Sequence, residues 1–129
     1  MLKVLIKKQS NYPISNLKIR KTLEAFFEKH GMVSDSVVYV SIVGEKTMLE
    51  LARKYLGEKN TLHNVLSFTE GETKGEFVYP NDKMLRLGEI ILCYPKIFSE
   101  AKEEGVMIEK KALDLVEHAG LHLMGIHHE

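Results

Sequence analysis

The histidines at the end of the chain constrain its fold more than any other feature of the sequence. They form the pattern H-x-x-x-H-x-x-G-x-x-H, which starts at His118 and ends at His128. His118 and His122 are four residues apart, so on an α-helix they project from one face, one turn apart, where two imidazoles can hold one ion. Gly125 can end that helix in the left-handed conformation that glycine adopts at low cost. The chain can then turn back and bring His128 to the same ion.

Three neutral imidazoles around an ion leave a fourth tetrahedral position for water, which is the arrangement of a catalytic zinc site. The zincin signature H-E-x-x-H places two ligands at this spacing with a glutamate as general base, and its metzincin extension adds a glycine and a third histidine. In this chain the glutamate position is Ala119. The sequence therefore predicts a zincin-like metal-bearing helix that lacks the base of a peptidase. Zn²⁺ is the expected ion, although three imidazoles also suit nickel or copper.

The histidine-rich end is also compatible with two simpler roles. A single histidine on an apolar helix face is more often a packed core residue than a ligand, and a terminal run of histidines can be a metal-binding tag. Apolar residues are interleaved with these histidines, at Leu121, Leu123, Met124 and Ile126. Such interleaving is typical of a packed helix rather than a flexible tail, and this favours the metal site.

The length and composition predict a single domain with its own core. The chain has 129 residues, of which 44% are hydrophobic, and this is sufficient for one domain over residues 1–129. Lysine plus arginine balance aspartate plus glutamate at 18 each, so the net charge gives no argument for nucleic acid. One cysteine, Cys93, excludes an internal disulfide and fits a reducing compartment. No apolar run is long enough for a signal peptide or a membrane span, so we expect a cytoplasmic protein without a membrane partner.

The order of the predicted elements indicates an α+β domain with a mixed sheet and packed helices. Apolar and β-branched runs predict strands over residues 2–7, 36–43, 65–68, 77–79 and 85–93. A loop over residues 69–75 joins the two short ones. Apolar residues at helical spacing predict helices from an N-cap at Ser15 to Gly31, over residues 47–55 with a stop at Gly57, over residues 95–102, and from Ile108 through the first two histidines.

Glu89 stands among the apolar residues of the last predicted strand. A carboxylate is costly to bury unless it is paired, so Glu89 either reaches solvent or points at a cation. We expect one of two roles for it: a structural salt bridge, or a position close to the metal or its ligands. Cys93, in the same strand, is expected to be a buried thiol of low reactivity.

Three segments share their order and spacing with the signatures of a known family. They are Asn-Val-Leu-Ser-Phe at residues 64–68, Leu-Gly-Glu-Ile at residues 87–90 and the histidine pattern at residues 118–128. Together they resemble the YbeY family of ribosomal RNA maturation endoribonucleases, whose signatures are D/N-V-L-S-F, L-G-D/E-I and H-G-x-L-H-L-x-G-Y-D-H. The resemblance implies a mixed sheet with a central metal-bearing helix and a zinc ion. The family's metal-binding histidines fall on His118, His122 and His128.

The same resemblance implies a metal-dependent endoribonuclease that cleaves single-stranded RNA in ribosomal RNA maturation and ribosome quality control. Its implied partners are single-stranded RNA and the ribosome, and no DNA is expected. The ion would lower the pKa of its bound water and polarise a phosphoryl oxygen while a basic side chain stabilises the developing charge. Lys59, Lys74 and Lys83 are available for phosphate contacts.

The chain departs from the family pattern both near the histidines and upstream of residues 64–68. Near the histidines, Ala119 stands for a glycine, Ile126 for a tyrosine, and His127 for an aspartate that could bond the ligands. The family arginine linked to RNA cleavage, in a Tyr-Arg-Gly stretch, is Leu56. Arg53, three residues earlier on nearly the same helix face, is a candidate replacement, and a solvated surface charge is the alternative. The catalytic side chain therefore stays open among Glu89, His127 and Arg53.

Two other functions are compatible with these residues. One is another metallohydrolase, such as a peptidase, which the metzincin-like spacing suggests and Ala119 argues against. The other is a non-catalytic ribosome assembly factor that an ion stabilises, because the family arginine is absent at Leu56. A structural ion would resist exchange, and its loss would unfold the C-terminal helix.

Overall fold

A computed structural model describes residues 1–32, 34–73 and 84–125, and these form a four-stranded sheet flanked by helices. The strands are β1 (Leu2–Lys8), β2 (Ser36–Val43), β3 (Val65–Phe68) and β4 (Leu85–Cys93). They lie in the order β1-β2-β4-β3. Strands β1, β2 and β4 are mutually parallel, and β3 is antiparallel to β4. The mixed sheet of an α+β fold is thus confirmed, and the strand predicted over residues 77–79 lies outside the described residues.

The helices begin and end where capping residues stand. They are α1 (Asn16–Lys29), α2 (Glu45–Leu56), α3 (Tyr94–Glu104) and α4 (Ile108–Leu123). Ser15 is the predicted N-cap of α1, and its Oγ accepts a hydrogen bond from the Lys18 N–H at 3.2 Å. Gly57 ends α2 in the left-handed conformation, with φ of 69°. The expected loop after β3 begins instead with a short 3₁₀ helix (Glu70–Thr73), in which the Glu72 N–H donates to the Thr69 carbonyl at 3.1 Å.

Both faces of the sheet are covered, which explains why β2 and β4 are almost continuously apolar. Helices α1, α3 and α4 pack on one face, where Ile90 and Leu92 of β4 join their core. Helix α2 packs on the other face, which receives Ile91 and Cys93 of β4. Cys93 is buried as predicted, and burial raises the pKa of its thiol, so the thiolate that would react is disfavoured.

Gly88 lets α4 approach the sheet at the end that carries the histidines. The register between β2 and β4 shifts at this point, since Val37 pairs with Arg86 and Val38 pairs with Gly88. Gly88 has φ of 140°, a conformation that side chains rarely adopt. A bulge beside a site commonly redirects a strand in this way, and here it fits the sheet to the last turn of α4.

Across the described ranges, none of the helices combines the length and the apolar character needed to cross a membrane.

Candidate metal centre

Helix α4 is the platform of the predicted metal site. Its buried face includes Ala112, Val116, Ala119 and Leu123. Gly120 lies against α1, where an added Cβ would be 2.9 Å from Cε2 of Phe26. Close packing on both the sheet and α1 therefore fixes the position of this helix.

His118 and His122 leave α4 outside that buried face. His118 is exposed, His122 is half-buried, and the two are one helical turn apart as predicted. The helix ends after Leu123, and Gly125 takes the left-handed conformation with φ of 73°, which confirms the predicted stop. His127 and His128 lie outside the described residues. The complete set of three histidines therefore remains a prediction.

His122 is held at both ring nitrogens. Its Nδ1 lies 2.6 Å from Oγ of Ser67 on β3, and its Nε2 lies 3.0 Å from Oε1 of Glu72 in the 3₁₀ helix. The same Glu72 oxygen accepts a hydrogen bond from the Thr69 N–H at 2.8 Å. Strand β3 and the turn after it thus set the orientation of this imidazole.

This arrangement suits a histidine that binds metal through Nε2. A ligating imidazole usually donates its other N–H to an oxygen that fixes the ring and its tautomer, and Ser67 occupies that place. The hydroxyl of Ser67 can donate or accept, so it can bond Nδ1 with or without an ion on Nε2. Within residues 1–32, 34–73 and 84–125, no three potential ligands among His, Cys, Asp and Glu converge to hold an ion.

Two of these contacts were not predicted from the sequence. Ser67 belongs to the Val-Leu-Ser-Phe segment, but nothing there tied its hydroxyl to a histidine 55 residues later. Glu72 lies in a polar stretch without periodicity. Nothing in the sequence around Glu72 therefore indicates that its side chain contacts α4.

Glu89 lies on the opposite face of the sheet from His122. Glu89 is paired in the sheet with Phe68 of β3, and Phe68 belongs to the core beneath α2. Ser67 of β3 is paired with Ile90, which lies on the α4 side of the sheet. Only 8% of Glu89 is exposed. Of the two roles expected for Glu89, this position argues against the one close to the metal ligands.

Glu89 lines a cavity of about 300 Å³ beneath α2, together with both polar and apolar side chains. Its Oε1 accepts a hydrogen bond from the Ser41 hydroxyl at 2.9 Å. Burial raises the pKa of Glu89, and the Ser41 hydrogen bond and the charge of Lys7 partly offset that rise. The destabilisation of the charged carboxylate by burial is therefore larger than the stabilisation that the Ser41 hydroxyl and the Lys7 charge provide.

The described basic residues that the sequence suggests for contacts with RNA lie on α2 or after its end. Arg53 is exposed on α2, whose buried face covers the Glu89 side of the sheet. Lys59 is exposed after the end of α2. Lys74 and Lys83 lie outside the described residues. Arg53 therefore does not share the face of the sheet on which α4 packs.

Comparison with known protein families identifies the family of this chain. A model of the family described as Endoribonuclease YbeY matches residues 5–129. The chain belongs to the YbeY family. The fold is also similar to the solution structure of a protein from Thermotoga maritima. The chain is 26% identical to that protein with a TM-score of 0.59, and the match covers 98% of this chain and 75% of that one.

Curated relatives named Endoribonuclease YbeY support the same membership. The chain is 32% identical to the Azoarcus sp. (strain BH72) protein, over 91% of this chain and 50% of that protein. For the Ureaplasma urealyticum protein the values are 34%, 88% and 61%, and for the Geobacter sulfurreducens protein they are 33%, 95% and 77%. The chain therefore spans about half to three fifths of the length of the first two YbeY relatives.

The structure explains the role of one residue in each of two YbeY signatures. The serine of Val-Leu-Ser-Phe is Ser67, which orients His122. The glycine of Leu-Gly-Glu-Ile is Gly88, which leaves room for Leu123 of α4. Both act on the end of α4 that carries the histidines. The departure at Leu56 stands apart from them, at the exposed end of α2.

Proposed function

We propose that this protein is a metal-dependent endoribonuclease that cleaves single-stranded RNA in ribosomal RNA maturation and ribosome quality control. Its partners are then RNA and the ribosome, in the cytoplasm. The match to the YbeY family over residues 5–129 carries this proposal. The fixed orientation of His122 supports it independently, since that imidazole is arranged as a metal ligand is.

In this proposal His118, His122 and His128 hold one divalent ion, most suitably Zn²⁺. Such an ion, when bound, lowers the pKa of its water and stabilises negative charge on a phosphoryl oxygen. Ser67 keeps the His122 ring turned so that Nε2 points away from β3. The packing of Gly120 on Phe26 keeps the helix itself in place.

The proton acceptor is best sought on the α4 side of the sheet. Glu89 and Arg53 belong to the other side, one on β4 and one on α2. Their separation from His122 argues against a direct role for either in the reaction. We propose His127, which is adjacent in sequence to the predicted ligand His128, as the remaining catalytic candidate.

The decisive experiment measures cleavage of a labelled single-stranded RNA by the wild-type protein and by His122→Ala, with and without a chelator. We expect cleavage by the wild type alone, its loss on chelation and its return with added Zn²⁺. Glu117→Gln is a matched control, since Glu117 is an exposed residue of the same helix. Equal cleavage in all samples would contradict the proposal.

A non-catalytic assembly factor is the second candidate, and one observation favours it. The position of the family arginine is Leu56, which is 46% exposed at the end of α2 and offers no charge to RNA. A structural ion would make folding of α4 depend on metal, whereas a catalytic site tolerates the apo protein. Circular dichroism below the melting temperature, with and without chelator, separates these cases. Removal of a structural ion unfolds α4, whereas removal of a catalytic ion leaves the helix folded and only lowers the melting temperature.

A peptidase is not favoured. The residue at the zincin base position, Ala119, is buried in the core beneath α4. The position from which the glutamate of a zincin takes a proton from the attacking water therefore carries no carboxylate.

A further inference from the structure

The cavity beneath α2 contains a buried carboxylate. It lies between the sheet and the first two turns of α2 and has a volume of about 300 Å³. Its sheet side includes Ser41, Glu89 and Ile91, and its α2 side includes Thr47 and Leu51. Ligand pockets in proteins start at roughly 300 Å³, so this cavity fits one ring system of a ligand rather than a large molecule.

The carboxylate of Glu89 has room for further hydrogen bonds. Among the described residues it forms no salt bridge, and the Ser41 hydroxyl donates to its Oε1 at 2.9 Å. Burial raises the pKa of Glu89, because the cavity does not replace all the hydrogen bonds that water gives to a carboxylate. Each carboxylate oxygen has two lone pairs. A ligand with N–H groups can therefore donate to Oε2 and to the second lone pair of Oε1.

The entrance of the cavity carries a positive charge and is held in place by hydrogen bonds. Lys7 and Gln9 line the cavity and are exposed, so they mark its open side. Lys7 is paired with Ser41 in the register of β1 and β2. The Gln9 side chain joins the end of β1 to the start of α2, since its Nε2 donates to Oγ1 of Thr47 at 2.7 Å and its Oε1 accepts from the Gly44 N–H at 2.9 Å. The entrance is thus formed without a ligand.

An acceptor, two apolar walls and a cation at the entrance match the parts of a nucleotide. Ile91 on the sheet and Leu51 on α2 provide apolar surface for a flat ring. Unstacked bases of single-stranded RNA are recognised by hydrogen bonds to their Watson–Crick edge. Guanine presents an imino N–H and an amino N–H side by side on that edge, so one carboxylate accepts both. Adenine and cytosine present the amino group alone, and uracil has none.

We propose that this cavity takes one unstacked guanine base, with Glu89 accepting its two N–H groups and Lys7 contacting the attached phosphate. The proposal deepens the proposed function, because the base can belong to the RNA substrate. A free guanine nucleotide has the same chemistry and is the other source. Glu89 lies on the opposite face of the sheet from His122, so it selects the base and takes no part in cleavage.

Two variants test the two contacts. Glu89→Gln keeps an oxygen for the Ser41 hydroxyl but replaces the other oxygen with an NH₂ group, which is a donor and cannot accept from guanine. Glu50→Gln is its matched control, since Glu50 is an exposed acid of α2 outside the lining of the cavity. Lys7→Gln removes the cation at the entrance. Lys7 is exposed, so this variant should fold normally and gives an independent test.

Calorimetric titration with GMP, AMP and UMP, in the presence of a chelator, measures the preference for guanine without cleavage. We expect the wild type to bind GMP about tenfold more tightly than AMP or UMP, which is the size of discrimination that a good bidentate contact gives. Glu89→Gln should lose this preference and Glu50→Gln should keep it. Lys7→Gln should bind GMP more weakly than the wild type does and should bind guanosine, which has no phosphate, equally well.

Titration of labelled oligouridine with and without one guanine distinguishes the two sources of the base. Tighter binding of the guanine-containing RNA than of GMP identifies RNA as the source. Equal affinity for that RNA and for GMP identifies the free nucleotide. Either result supports the cavity as a guanine site, provided that Glu89→Gln weakens the binding.

The outcomes separate this proposal from the proposed nuclease function. Equal affinity of the wild type for the three nucleotides would overturn the guanine site, and so would a preference for GMP that survives in Glu89→Gln. Equal loss of the preference in Glu89→Gln and Glu50→Gln would indicate a general charge effect and would also overturn it. RNA cleavage without a preference for guanine contradicts this proposal alone. A preference for guanine in a protein that does not cleave RNA contradicts the nuclease function alone.

Discussion

Leu123, the last residue of α4, packs so closely on Gly88 of β4 that a Cβ at position 88 would lie 2.8 Å from its Cδ2. That Cβ would lie closer still to the backbone carbonyl oxygen of Phe68 in β3, and 3.0 Å from Cα of Thr69. The strand that carries Ser67, the strand that carries Gly88 and the helix that carries His122 therefore meet at one point. We expect a change there to affect both the stability of the fold and the proposed metal site.

Gly88→Ala is expected to destabilise the fold by about 2 kcal/mol or more, since overpacking costs about 1–3 kcal/mol and the positive φ adds strain. Urea unfolding of the metal-free protein measures this cost. Gly71→Ala is the control, because nothing lies within 4 Å of a Cβ added there, and its effect should stay within about 0.5 kcal/mol. Similar stabilities for the two variants would show that the approach of Leu123 to β4 is looser than described.

Ser67→Ala is expected to weaken Zn²⁺ binding by about 10–100-fold, because His122 loses the oxygen that orients its ring. Competition with a chelator measures the affinity. Ser41→Ala is the matched control, since Ser41 makes its hydrogen bond to Glu89 on the other face of the sheet. If both serine variants bind Zn²⁺ like the wild type, Nδ1 of His122 needs no partner in the metal-bound state.

The sequence was sufficient for the elements of this fold because capping residues and apolar spacing are local signals. Ser15, Gly57 and Gly125 stand where helices begin or end, as predicted. The neighbours of β4 could not be predicted in the same way. They depend on pairings with β2 and β3, and a strand that is apolar on both faces does not indicate which face a helix covers.

The same limit applies to the site. The spacing of His118 and His122 is a helical signal, so their shared face was predictable. The face of the sheet on which Glu89 lies was not predictable. The side chains of β4 are buried on both faces, so the sequence pattern does not indicate which face α4 covers. The contact of Glu72 with His122 depends on a 3₁₀ turn whose residues show no periodicity.

Ala119→Gly restores the family residue and is expected to cost stability. Ala119 is buried inside α4, so glycine loses about 1 kcal/mol of helix propensity and about 0.8 kcal/mol for the buried methyl group. Ala25→Gly is the control, because Ala25 is exposed in the middle of α1 and should lose the propensity alone. Thermal or urea unfolding measures the difference, and an equal loss in both variants would contradict the packing of Ala119 in the core.

Glu89→Gln is expected to remove a pH dependence of stability. The pKa of Glu89 is raised by burial, so its contribution to stability is fully present below the unfolded pKa and is lost as pH rises through the folded pKa. Glutamine keeps an oxygen that can accept the Ser41 hydroxyl and cannot ionise. Urea unfolding at pH 4 and pH 7 should therefore show the variant gaining stability relative to the wild type at the higher pH.

Glu109→Gln provides a control of opposite sign for that experiment. The pKa of Glu109 is lowered by hydrogen bonds from Lys18 and from the Ser15 N–H, so its contribution is present above the unfolded pKa and is lost as pH falls through the folded pKa. This variant should lose stability relative to the wild type at pH 7 more than at pH 4. If Glu89→Gln follows the same direction as Glu109→Gln, the Glu89 carboxylate is stabilised in its charged form, and the cavity beneath α2 is more polar than its lining indicates.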